Sequence, residues 1–278
     1  MQPASLPELA PLAGLLVLLE LAVGTVTVSA ALDHVGHVGR GFAGTTAAIC
    51  VLIMGADLLV ISGVSDPGGL LHSAHDSGAM ATFAHSAVAF TILLAVDALF
   101  AAVGTEISRR VVAAVTVVVG LVTVVTAALA VGPALGGVGT ALLAFFSAAL
   151  LGGSALAGML LGHWYLVSPN LSFRPLRQVI NIVFASLAIE SVTLALVLGL
   201  TSPSTRDQLL TGQYAVPFWL LVFGSGIVFT GGILLLTRHF ARIRANQPAT
   251  AMLYALIISV VMGVVPAHLL YFVTGAPV

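Results

Sequence analysis

Four carboxylates, Glu20, Asp57, Asp97 and Glu190, lie well inside long apolar stretches of a chain in which charged residues make up only 7%. A carboxylate at the centre of a bilayer costs roughly 2.5–3.5 kcal/mol on insertion scales, so each is expected to face other helices and to be protonated or hydrogen-bonded. Helical spacing supplies hydroxyl partners. Ser186, Glu190 and Thr193 share one face, and Ser86 shares another with Asp97. No arginine lies deep enough along the sequence to neutralise any of the four. Acids so placed relay protons, bind a cation or act as hydrogen-bonding glue between helices, and four of them in one chain favour the first two roles.

Eight histidines accompany them. His85 lies about six residues inside the third apolar stretch and His268 about six residues before the end of the last, so at ~1.5 Å per residue both sit roughly 9 Å below one boundary. Two imidazoles at one depth on different helices are what bis-histidine ligation of haem b requires. The same pair would suit a quinone, with one histidine on its carbonyl and a carboxylate taking its proton. His72-Ser73-Ala74-His75-Asp76 is the densest polar cluster; wound as a helical turn, it projects His72, His75 and Asp76 to one side as candidate Zn²⁺ or Cu²⁺ ligands, with Asp66 as a further oxygen. His34, His37, His163 and His239 fall at the ends of apolar stretches, where an imidazole complements a helix C-terminus.

The elements that must position these groups are eight apolar stretches, roughly 9–31, 42–62, 79–103, 111–131, 138–163, 178–200, 215–237 and 250–273. Each is long enough to cross ~30 Å of hydrocarbon as a helix. Hydrophobic residues form 59% of the chain and charged ones 7%, against ~25% charged in a soluble domain. The expected fold is therefore an all-α polytopic membrane bundle, one transmembrane domain over residues 1–278, with the lipid bilayer as its surroundings. A formal net charge of −1 leaves no basic stripe for nucleic acid. The single cysteine, Cys50, falls inside the second span and excludes an internal disulfide. Val28-Ser29-Ala30 resembles a signal cleavage site, but the first ten residues carry Glu8 and no positive charge, so the first stretch is read as a retained span. Eight spans and short turns occupy nearly all 278 residues, and no extramembrane domain is expected.

The chain has no lysine, and eight of its nine arginines fall on alternate connections: Arg40; Arg109 and Arg110; Arg174 and Arg177; Arg238, Arg242 and Arg244. Arg206 alone is opposite. Basic connections stay cytoplasmic, which places both termini outside a cytoplasmic membrane. The stretch Thr237–Gln247 spaces its arginines like a short amphipathic helix on anionic headgroups. Small residues recur at helical spacing, with Ser154, Gly158 and Gly162 in the fifth span and Gly224, Ser225 and Gly226 in the seventh, and they allow close helix approach. A faint duplication relates Arg40 and Asp57 to Arg174 and Glu190, as in a parallel 4+4 repeat.

These features imply a small redox or proton-handling membrane subunit that meets quinone or haem b near the outer face. His85 and His268 would be its cofactor contacts, the four acids its proton relay, and its redox partners separate membrane or peripheral subunits. The alternatives are a secondary transporter or ion permease that uses the same carboxylates, and a membrane assembly or scaffold protein. The topology carries a direct test. Alkaline phosphatase fused after Val278 should be active and a cytoplasmic fluorescent reporter at the same point dark; the reverse pattern would refute the arginine-based orientation.

Overall fold

The structure, a computed structural model, describes residues 6–36, 38–63, 77–167 and 172–278. Among them are eight helices long and apolar enough to cross a membrane and no strand. They are α1 (Leu6–Gly36), α2 (Arg40–Gly63), α3 (Ser77–Val103), α4 (Glu106–Val131), α5 (Val138–Val167), α6 (Arg174–Leu200), α7 (Ala215–Arg242) and α8 (Asn246–Thr274). The helices extend past their apolar centres by several residues because polar end groups continue the winding. Thr105, for example, caps α4 by accepting from the Ser108 amide at 3.2 Å. A short helix, Pro203–Leu210, starts at the capping hydroxyl of Ser202 and fills the α6–α7 connection.

Helix packing divides the bundle into two rings. α1, α2, α3 and α4 follow one another in contact and α4 closes on α1; α5, α6, α7 and α8 do the same, with α8 closing on α5. The rings meet where α1 lies along α5, flanked by α4 on α5 and α8 on α1. α1 and α5 are the enclosed helices. α5 buries Ala148, Gly152, Ala155, Ala157 and Gly158, a run of small side chains on nearly every face. The peripheral helices turn Leu52, Leu59, Ile92, Leu99, Leu220 and Phe229 outward. An apolar surface of that extent is unfavourable in water and fits hydrocarbon.

Glycine decides how closely the central pair approaches. A Cβ on Gly24 would stand 1.7 Å from the Ala149 carbonyl oxygen, and one on Gly153 would stand 2.1 Å from the Gly24 carbonyl carbon. Backbone therefore rests on backbone, and the Thr25 hydroxyl adds a 3.3 Å bond to the Gly153 carbonyl. In a bilayer, tight packing and interhelical hydrogen bonds hold helices together, because lipid tails are as apolar as the helices. Gly162, foreseen as part of a small-residue ladder, meets Thr250 and Leu253 of α8 and accepts from the Thr250 hydroxyl at 3.0 Å.

Two local features depart from the sequence reading. The arginines of Thr237–Gln247 do not form a separate amphipathic helix. α7 runs on to Arg242, Arg244 takes a left-handed φ of 56°, and the Ala245 amide closes on the Phe240 carbonyl at 3.0 Å. That bond pattern ends a helix in a tight turn and leaves too few residues for another element. In α7 the segment Phe218–Phe229 is wound as a π-helix, a rare geometry that concentrates at functional sites. Gly226 there abuts Gly263 of α8, 3.1 Å from a virtual Cβ to that residue's Cα. Ser225, Thr230 and Ser259 knit the contact: Thr230 donates to the Ser225 carbonyl at 2.9 Å, and Ser259 donates to the same carbonyl at 2.9 Å.

Substituting Gly153→Ala should force α1 and α5 apart, at a cost of about 1–3 kcal/mol. Thermal unfolding in detergent should fall accordingly, whereas Gly55→Ala, with nothing within 4 Å of the added methyl, should change little. Equal midpoints for the two variants would contradict the backbone contact.

Candidate functional site

Three of the four intramembrane acids fall into two groups, and Asp57 lies outside both. Glu20 on α1 and His268 on α8 meet in the core, with the His268 Nε2 atom 2.9 Å from both Glu20 carboxylate oxygens. Their side chains are 2% and 5% exposed, so the pair is almost dry. Phe145 of α5 covers the imidazole, ring centroids 5.8 Å apart. Glu190 of α6 stands nearby, close to Ser147 of α5 and in the electrostatic field of Glu20 and His268. The residue is half-buried, and its Oε2 atom is buried without a hydrogen-bond partner. Four helices thus surround a buried Glu20–His268 pair with Glu190 beside it.

The direction of helical side chains brings Glu20 and His268 together. Cα–Cβ bonds tilt towards the N-terminus of their own helix. α1 and α8 are antiparallel, so Glu20 leans towards the end of the bundle that holds both termini and His268 leans away from it. Counting residues from the span ends places His268 about 9 Å deep and Glu20 about 17 Å deep by rise alone, and the opposed tilts reduce that gap. His85 does not join them. It is exposed on α3, a helix that packs on α2 and α4, and the structure brings His268 to Glu20 instead. Ser86, expected beside Asp97, shares a 2.7 Å hydrogen bond with Thr126 of α4.

The second group lies nearer the arginine-rich end of the bundle. Asp33 on α1 and Arg109 on α4 form an ion pair of 2.6 Å with side chains 9% and 7% exposed. Asp97 on α3 lies in the field of both. Among the described residues no arginine forms an ion pair with any of the four intramembrane acids; Arg109 pairs with Asp33 and meets Asp97 only through its field. Arg109 reads as a connection residue, yet it sits in the first turn of α4 and its long side chain reaches back into the bundle. A cavity of about 470 Å³ opens here, with Asp33, His34, Asp97 and Arg109 among its polar walls and Ala43 and Ala47 of α2 opposite.

Asp57 on α2 stands apart. It is 0% exposed and neither carboxylate oxygen has a partner. Thr46, Cys50 and Asp57 follow one another along a single helical face, and the Cys50 thiol points to the Ala22 carbonyl of α1 at 3.7 Å, so that face abuts α1. The Thr46 hydroxyl is likewise buried without a partner, and Cys50 feels the charge of Asp97. Unsatisfied buried polar atoms are rare in native proteins, and each requires a physical explanation. Here Thr46 and Asp57 lie on the α2 face that packs against α1.

Among the described residues no three His, Cys, Asp or Glu side chains converge as metal ligands. The metal candidates His72, His75 and Asp76, with Asp66 and His37, lie outside the described residues. His163 accepts or donates at Nδ1 to the Tyr254 hydroxyl at 3.0 Å, a pairing between α5 and α8 at the arginine-rich end.

Fold and site together define a polytopic helical membrane protein with a dry acid–imidazole cluster at its core. The chain matches no protein-family model, no curated protein and no solved structure.

Breaking the Asp33–Arg109 pair tests how far the second group supports the fold. Asp33→Asn should cost about 3–5 kcal/mol, because it leaves a guanidinium buried and unpaired. The double change Asp33→Leu, Arg109→Met should restore most of the loss in thermal unfolding. A single variant as stable as the wild type would show that the pair is solvated in the membrane-embedded protein.

Proposed function

We propose that this chain is a proton-handling membrane carrier, in which Glu20, His268 and Glu190 hold a proton or a small cation and exchange it across the bilayer. The observation that carries this reading is the Glu20–His268 pair, with the unpartnered Glu190 oxygen beside it. With one proton between Glu20 and His268, the pair is neutral in either arrangement: carboxylic acid with imidazole, or carboxylate with imidazolium. A proton can cross that 2.9 Å separation without altering the net charge of a dry site, which low dielectric would otherwise penalise. Glu190 is the variable member. A proton there balances its charge, and so would a monovalent cation at the free Oε2 atom, which is the chemistry of proton–cation exchange.

Three further features support a carrier. The cavity at the arginine-rich end, with Asp97 in its wall, provides an approach from one side. The two four-helix rings are paired alike, which suits alternating access by one half moving on the other. α7 is wound as a π-helix beside α8, and irregular winding next to a midplane site is characteristic of transporter folds. The haem-bearing alternative has less to rest on. Ligation needs a free imidazole nitrogen from each of two facing histidines, whereas His268 directs Nε2 at Glu20 and His85 is exposed on another ring.

Reconstitution provides the test. Liposomes containing the protein and a pH-sensitive dye should change internal pH when a Na⁺, K⁺ or membrane-potential gradient is imposed, at least about tenfold faster than empty liposomes. Glu190→Gln and Glu20→Gln keep hydrogen bonding but cannot titrate, and both should abolish the response while the protein remains folded. No response under any gradient, or an undiminished response in Glu190→Gln, would refute the proposal. A reduced-minus-oxidised haem band in the purified protein would replace it with the redox reading.

A further inference from the structure

The two rings differ in how they neutralise their arginines. In the first ring Arg109 pairs with Asp33 at 2.6 Å and Arg110 with Glu106 at 2.7 Å, and Arg40 donates to the Gly104 carbonyl at 2.6 Å. The second ring brings Arg174, Arg177, Arg238, Arg242 and Arg244 to the same end of the bundle. From residue 138 to residue 278 the sequence holds only two carboxylate side chains, Glu190 and Asp207. Glu190 belongs to the core cluster. Asp207 lies on Pro203–Leu210, which joins α6 to α7 at the opposite end. Five guanidinium groups thus gather without a carboxylate from their own half.

Three of them face one cleft. Arg177 and Asn181 of α6 and Arg238 and Arg242 of α7 line a cavity of about 250 Å³, with Ile180 and Ala241 as its apolar floor. Each helix contributes two residues one turn apart, and all four are exposed along the cleft. Arg238 is held in place by Phe184, with its guanidinium carbon 5.4 Å from the ring centroid. Arg244 is anchored similarly over Phe173 at 6.0 Å. None of the three cleft arginines forms an ion pair among the described residues.

Helix electrostatics account for only part of the arrangement. Arg238 and Arg242 lie in the last turns of α7, where cations complement the macrodipole. Arg177 lies in the first turns of α6, where the dipole opposes a cation. A bound anion removes that conflict and neutralises the charge that no carboxylate meets. Planar guanidinium forks match the geometry of phosphate oxygens, and basic clefts between membrane helices are the usual seat of anionic headgroups.

We infer that the α6–α7 cleft is a phosphate-binding site, with Arg177, Arg238 and Arg242 as its cationic donors and Asn181 as a neutral one. The phosphate is carried by an anionic lipid headgroup or by a small phosphorylated solute; both present the same anion to the cleft.

Purified protein in neutral detergent distinguishes the sources. Thermal unfolding and native mass spectrometry would follow titration with phosphatidylglycerol, phosphatidylcholine and inorganic phosphate. Phosphatidylglycerol or inorganic phosphate should raise the unfolding midpoint of the wild type and of Arg206→Gln, whose substitution is at the opposite end. Arg177→Gln and Arg242→Gln should each weaken apparent affinity about tenfold, the loss expected for one charge-assisted hydrogen bond. A response to the lipid alone identifies a headgroup site, and competition by inorganic phosphate identifies a solute site; either supports the inference. If the glutamine variants do not fold, Arg177→Lys and Arg242→Lys retain the charge but lose the fork, and should bind more weakly than the wild type. Binding to neither anion would overturn the site, as would affinity unchanged in every folded arginine variant.

Discussion

The contact of Gly24 with Gly153 sets the geometry of the whole bundle. Lipid gives helices no hydrophobic reason to associate, so their separation depends on packing and hydrogen bonding alone. At this crossing two backbones touch, leaving no room for a side chain on either. The close approach makes α1 and α5 the shared wall of both rings. Glu20 is one helical turn from Gly24, and Ser147, which Glu190 approaches, is fewer than two turns from Gly153. The crossing therefore fixes the spacing of the helices between which the acid–imidazole cluster is assembled.

Much of the architecture was legible in composition and periodicity, because crossing ~30 Å of hydrocarbon demands long apolar runs that nothing else explains. The burial of Asp57 also follows from the cost of exposing a carboxylate to lipid. The pairing of His268 was not legible from depth along the chain. Depth counts Cα positions, whereas contact is made by side chains that lean towards their own helix N-termini, so residues more than a turn out of step can meet. The pairing of Arg109 with Asp33 was hidden for a related reason: its Cα belongs to a helix end while its side chain is buried. The Gly24–Gly153 contact was hidden among 29 glycines, most of which show no spacing that separates them from it. A helix-direction correction to the depth count narrows the gap between Glu20 and His268, while the contact of α1 with α8 comes from packing; nothing comparable singles out Gly24.

The two rings share a pairing scheme but divide their labour. The first carries the compensated ion pairs, the larger cavity and the unpartnered Thr46 and Asp57, all on helices α1 to α4. The second carries His268, Glu190, the π-helical stretch and an uncompensated group of arginines. The core cluster draws on both, through Glu20 from one side and His268 and Glu190 from the other. Relative movement of the rings would therefore change the Glu20–His268 distance.

The winding of α7 supplies a mechanical consequence. A π-turn holds one more residue than the α-turn that would replace it. Transferring the bonds of Phe218–Phe229 from fifth to fourth neighbours would therefore turn everything beyond them about the helix axis and lengthen the segment, because fewer residues fill each α-turn. Thr230 donates its hydroxyl to the carbonyl five residues back, a contact that matches the wider winding. The widened stretch meets, at Gly226, the helix that bears His268.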